Sequence, residues 1–345
     1  MNVRLLSLGT IAVVFACGCA QATSPPQPTS ANPSAGSAPL ARQATSPALE
    51  FFNTPTAGAW PMYIVRGPQN ALWFSEFFTA AIGRITMGGQ ITEFPLGPQN
   101  DIEVLVEGAD GNLWFSEPGA NAIGRMTPQG AVTSFPIDAY DPDPRGITLG
   151  PDGNVWYTEF DDGYIGRVTP QGVITRFALP DYQSVPWDIK AGPNGVLYVS
   201  ESGADRIARF DVSTLQFEPS LDVPTQGATP WGILYAPDKH IWFTERRGNN
   251  IAEILSTGTI REFAIAQHEC YPEALAAGPD GELWFTESLT GDLGRINPAT
   301  GKFGSIVALP SGSIPNGIAM GTNGNMFFTV DDYDNPSQIG EAILH

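Results

Sequence analysis

The feature that most constrains this chain is a repeat. Aromatic anchors stand at Trp73, Trp114, Trp156, Tyr198, Trp242, Trp284 and Phe327, 41 to 44 residues apart, most of them inside a string such as GPDGELWFTE. A period in the low forties built of short strand-like runs is what one blade of a β-propeller requires, because such a unit buries its faces only against its neighbours. The phase is as regular as the period. Twelve residues before the anchor stands a proline in six units (Pro61, Pro144, Pro186, Pro230, Pro272 and Pro315), with Ile102 in the second. Three residues after it comes an acid (Glu76, Glu117, Glu159, Glu201, Glu245 and Glu287), with Val330 in the last. Eight residues beyond the acid, an Ile-Gly-Arg element places Arg84, Arg125 and Arg167 and, in variant form, Arg209 and Arg295.

Each unit reads as four strands. A short apolar run after the proline, such as Gly232 to Leu234, ends at a Gly-Pro-Asp-Gly turn whose residues supply the backbone angles of a tight connection. The LWFTE run is aromatic and β-branched, as a buried strand should be. The IGR strand follows, then a turn such as Thr127 to Gly130, then an outer strand such as Ile91 to Phe94. The seventh unit lacks a fourth strand, and Leu49-Glu50-Phe51-Phe52 resembles the missing one. The expected architecture is therefore an all-β, seven-bladed propeller of four-stranded blades over residues 48–345, its ring closed by the N-terminal strand. Closure of this kind removes an exposed sheet edge.

Thirty-six acids against 17 bases argue against a nucleic-acid partner, which demands a basic footprint. Residues 1–19 read as a signal peptide: a basic start at Met1 to Arg4, an apolar core from Leu5 to Phe15, and a lipoprotein-type box at Ala16-Cys17-Gly18-Cys19. Either Cys17 or Cys19 would carry the lipid, and ordinary secretion is the alternative. Residues 20–47, rich in Ser, Pro, Ala and Thr, read as a flexible tether. The expectation is an exported, monomeric protein of the bacterial cell envelope that meets the membrane only through its lipid anchor. Cys270 remains as the one cysteine of the propeller, read as a loop residue of no chemical role.

The GPDG-LWFTE, IGR and ITEF strings together resemble the virginiamycin B lyase (streptogramin lyase) family of seven-bladed propellers, over essentially all of residues 48–345. The resemblance implies elimination at the ester of cyclic depsipeptide antibiotics, with a catalytic histidine, a magnesium ion held by glutamates and a substrate-binding histidine. In the family a Glu-Pro-His-Gly segment places that catalytic histidine fourteen residues before a WFTE glutamate. Here the segment reads Tyr271-Pro272-Glu273-Ala274, so Glu287 matches one metal-ligand position while Tyr271 replaces the other. Glu273 replaces the general base, and Trp231 stands at the substrate-binding histidine. An elimination needs a base beside the carbonyl and a Lewis acid for the enolate. Glu273 is thus the candidate base and, with Glu287, the candidate Mg2+ ligand, and streptogramin opening itself is not expected.

The residues after each repeat proline should line one mouth of the channel: Met62, Glu103, Arg145, Trp187, Trp231, Glu273 and Asn316. Trp187, Trp231, Arg145 and Tyr271 are the candidate contacts of a small-molecule ligand there, with Trp187 and Trp231 as simple channel filling the alternative. His268, in the loop entering the sixth inner strand, is a candidate substitute base, whereas His240 sits in the turn before the fifth tryptophan strand. The repeat glutamates, eight residues from the IGR arginines, could face them as cross-strand ion pairs. Two function classes follow: a metal-dependent carbon-oxygen lyase on a small ester or depsipeptide, or a non-catalytic extracytoplasmic ligand-binding or scaffold propeller.

Overall fold

The computed structural model describes residues 46–97, 101–267, 269–331 and 336–344; the leader, most of the tether and His268 lie outside them. Seven antiparallel sheets follow one another in chain order. The first blade is Pro61–Gly67, Ala71–Glu76, Ala81–Ile85 and Ile91–Pro95, and the other blades repeat it. In the sixth the outer strand is split into Lys302–Phe303 and Val307–Ala308. The seventh blade takes its outer strand from the start of the propeller: Ala48–Asn53 pairs antiparallel with Gln338–Ile343, Phe51 opposite Gly340. The closure expected from the sequence is therefore present.

The repeated letters of the second strand divide their work by alternation. Trp73, Trp114, Trp156, Trp242 and Trp284 are fully buried in the clusters between adjacent blades, and the aromatic that follows each faces the opposite way. That aromatic needs the glycine of the IGR strand. A Cβ on Gly83 would run into the ring of Phe74, so only glycine lets the third strand pass.

The Ser or Thr two residues after the anchor binds the blades into a ring. Thr158 Oγ1 accepts the Gly146 N–H of its own blade at 2.9 Å and donates to the Trp187 carbonyl of the next at 2.9 Å. The same pair of bonds recurs at Ser75, Ser116, Ser200, Thr244 and Thr286. Thr329 completes the circuit by accepting from Gly317 and donating to the Met62 carbonyl at 2.8 Å. A β-bulge after each of the six repeat prolines frees these backbone groups from the ladder and aims them at the hydroxyls.

The expected ion pairs between repeat glutamates and IGR arginines do not form. Register places the arginine opposite the tryptophan, as Trp73 faces Arg84, while Glu76 faces Ala81. The guanidinium carbons lie 5.0 to 5.6 Å from the indole centroids at Arg84, Arg125, Arg167 and Arg295, as cation–π contacts. Four residues of the hairpin loop lie between Glu76 and its partner Ala81, which leaves Arg84 three positions further along the strand, opposite Trp73.

Candidate functional site at the channel mouth

The seven residues after the prolines lie in one ring, because their carbonyls are the seven acceptors of the hydroxyl circuit. Their side chains are of five kinds, with Trp and Glu each occurring twice. Glu103, 2% exposed, accepts from Arg145 Nη1 at 2.9 Å, and Arg145 Nη2 donates to Asp143 at 2.9 Å. Burial pushes the Glu103 carboxyl above its ordinary range, and Arg145 works against that shift. Arg145 also lies over the rings of Phe160 and Trp187.

Trp187 and Trp231 do not stand apart around a slot. They stack on each other with centroids 3.6 Å apart and planes 24° from parallel. Arg246 covers the far face of Trp231 at 4.8 Å and reaches the ring of Tyr271 at 5.1 Å. Arg145, Trp187, Trp231, Arg246 and Tyr271 thus form one continuous stack across the third to sixth blades. The four candidate contacts named from the sequence belong to it, and Arg246 is the member that the sequence reading missed.

Glu273 is held from two sides. Arg246 Nε donates to its Oε1 at 2.9 Å and the Ser288 hydroxyl donates to the same oxygen at 2.8 Å. Glu287, one strand away, has different surroundings: it takes a bond from Thr290 at 3.0 Å, and its Oε1 is buried without a partner. Burial raises its carboxyl above the ordinary range, and Asp292 adds to that. The buried Cys270 thiol donates to Asn249 Oδ1 at 3.0 Å and is pushed up to about 12 by burial and by Glu287, so it is inert as a nucleophile.

The donor set does not fit the magnesium ion that the resemblance implied. Magnesium selects hard oxygen ligands in a near-octahedral set, usually with one or two free carboxylates. Glu273 is neutralised by a guanidinium, and Tyr271 offers a phenol whose ring stacks on that same guanidinium. The lone oxygen of Glu287 has counterparts on Glu76, Glu117, Glu201 and Glu245 in other blades, so it belongs to the repeat rather than to a metal site.

Two further residues reach the mouth. Tyr63 has its phenol raised by burial and by the carboxylates of Glu103, Asp188 and Glu273. Asp188, 5% exposed, binds Lys190 at 3.2 Å and accepts the Ile233 N–H of the next blade at 2.9 Å. Both stand two residues after a repeat proline, where the third, fifth and seventh blades have glycine. A Cβ on Gly232 would meet the Glu273 carbonyl, which shows how tightly adjacent blades approach at this level. The residue after each repeat glutamate is the other overlooked position: Phe160, Arg246 and Ser288 all occupy it.

The chain matches the virginiamycin B lyase family over residues 34–218 and 216–341. It belongs to that family. A solved streptogramin B lyase superposes with a TM-score of 0.81 at 31% identity, covering 87% of this chain and 98% of the other. A catalytically inactive histidine-to-alanine variant of virginiamycin B lyase from Staphylococcus aureus, solved with quinupristin, gives a TM-score of 0.79 at 30% identity, covering 86% and 99%. Matches to curated relatives are shorter. The virginiamycin B lyase of Nocardia farcinica is 29% identical over 126 residues, 36% of this chain and 40% of the relative, and that of Streptomyces coelicolor is 43% identical over 54 residues, 16% and 18%. These matched stretches span less than half of either curated relative.

Proposed function

We propose that this protein is an exported, ligand-binding member of the virginiamycin B lyase family that does not open streptogramin rings. The observation that carries the reading is the Arg246–Glu273 ion pair. A general base must be free to take a proton, and the carboxylate at the base position is instead bound by a cation and a hydroxyl. The guanidinium also sits between Trp231 and Tyr271, the two positions where the family resemblance implies a histidine and a metal-binding glutamate.

Binding and catalysis are separable in this fold. The Staphylococcus aureus relative is described as inactive and yet in complex with quinupristin. In the present chain the half-buried indoles, stacked on each other and capped by Arg145 and Arg246, leave their apolar edges to a ligand, and the Arg246 side chain, 30% exposed, has terminal nitrogens with no protein acceptor among the described residues. This pairing suits a small molecule with a planar ring and a carbonyl or carboxylate beside it. Elimination on a small ester would require Glu273 to shed Arg246 first.

Calorimetric titration of quinupristin and of simple aromatic carboxylates into the protein tests the proposal. At least one should bind without chemical change, and Arg246→Ala and Trp231→Ala should each weaken it on the order of tenfold. Turnover of an ester substrate that is lost in Glu273→Gln would replace the proposal with the lyase reading.

A further inference from the structure

The fifth blade departs from the repeat at two positions that meet. Opposite the anchor aromatic, five blades carry arginine (Arg84, Arg125, Arg167, Arg209 and Arg295), and the fifth carries Glu253 opposite Trp242. Two residues before the anchor, the second and third blades carry Asn112 and Asn154, and the fifth carries His240. The aspartate four residues before the anchor is retained as Asp238, which in other blades sits 3.8 to 3.9 Å from the arginine, as Asp110, Asp152 and Asp280 do. Replacing that arginine by glutamate sets a strand acid, Glu253, beside the turn acid, Asp238.

The seventh blade shows how the repeat accommodates an acid here. Glu341 stands opposite Phe327, and the turn provides Asn323 and Asn325, whose amides donate to it at 2.9 and 2.6 Å. That solution satisfies the acid with uncharged amide donors. The fifth blade keeps both acids and inserts an imidazole between them: His240 Nδ1 lies 2.5 Å from Glu253 Oε1 and 3.8 Å from Asp238 Oδ2. The three donor atoms all fall within 4.8 Å of one another.

We propose that Asp238, His240 and Glu253 bind a divalent transition-metal ion of the zinc class, at the face of the ring opposite the channel mouth. An ion at about 2.0–2.2 Å from one nitrogen and two oxygens needs donors some 3–3.5 Å apart, and the observed separations bracket that value. One imidazole with two carboxylates selects zinc, cobalt or manganese over magnesium or calcium, which prefer all-oxygen sets. The ligands are also oriented from outside, as metal ligands commonly are. Trp242 Nε1 donates to Asp238 Oδ2 at 3.0 Å, and Arg261 holds the other oxygen of Glu253, which is 1% exposed. The cluster is approached from the imidazole side: a cavity of about 450 Å³ between the fourth and fifth blades is lined by His240, Lys239, Tyr198, Arg209 and Glu218.

The test is zinc and manganese titration of the untagged full chain by calorimetry, with the tryptophan fluorescence of the protein, compared between wild type and variants, as a second readout. Stoichiometric binding is expected, weakened on the order of tenfold or more in His240→Asn and in Glu253→Arg. Both substitutions restore residues that other blades carry at the same positions, so the fold should persist, as the melting temperature will show. Glu273→Gln at the mouth should leave this binding unchanged, which keeps it separate from the ligand proposal. Failure of the wild-type protein to bind either ion, or binding unaffected by both substitutions, would overturn the assignment.

Discussion

Two regions of one blade follow opposite rules. The second strand spells nearly the same word seven times, and each letter has a fixed duty: the tryptophan fills the gap between blades, the hydroxyl links neighbours, and the glutamate ends the strand in a buried place. The residues just after the proline and just after that glutamate follow no consensus, each position carrying five residue types in seven blades, although the same backbone presents them. Architecture is carried by what repeats, and whatever the protein recognises is carried by what does not. Family membership rests mainly on the first region, while the Arg246–Glu273 pair lies wholly in the second.

That contrast is sharpest in truncations of two tryptophans. Trp156, fully buried among Ile165, Ile189, Leu197 and Phe210, should cost about 3–5 kcal/mol on replacement by alanine, read by urea unfolding. Thr329→Val should cost about 1–3 kcal/mol, because it leaves the Gly317 N–H and the Met62 carbonyl without the bonds that close the ring.

The buried glutamates give the wall a pH signature. Burial pushes Glu76 and Glu245 up to about 8, with Glu93 and Glu262 respectively adding to the shift. The folded protein keeps protons there that the unfolded chain releases near pH 4.5, so this contribution is fully present below 4.5 and is lost as pH rises toward 8. Glu245→Gln should therefore match the wild type at pH 4.5 and exceed its stability at pH 9, by on the order of 1–3 kcal/mol. A variant as sensitive to alkali as the wild type would remove the glutamates from the account.

Trp231→Ala should have the smallest effect, about 1 kcal/mol, since the indole is half-buried and loses chiefly its stack on Trp187. A cost equal to that of Trp156→Ala would break the comparison and make the mouth tryptophans part of the wall.

Much of the fold was legible because a ring of copies must satisfy the same packing problem seven times, and the solution shows as fixed offsets. Blade number, strand order, closure by Ala48–Asn53 and the ring of post-proline residues all follow from those offsets. Pairings across a hairpin were less legible. Counting eight residues from Glu76 to Arg84 does not say how many the turn consumes, so the arginine was matched to the acid rather than to Trp73. At the mouth, Tyr271 and Glu273 could be placed by family resemblance, yet their state depended on Arg246, which lies 27 residues from Glu273 and one blade away. No local pattern marks such a contact, because the propeller and not the sequence brings the two together.

The central claim is that the elimination machinery is absent from this mouth. Elimination at the ring ester breaks a carbon–oxygen bond without adding water, so the opened product has the mass of the ring and must be read by chromatographic retention and fragmentation. Quinupristin incubated with the purified protein and magnesium should be recovered as the intact ring. A linear product formed with multiple turnovers, and lost in Glu273→Gln, would contradict the account.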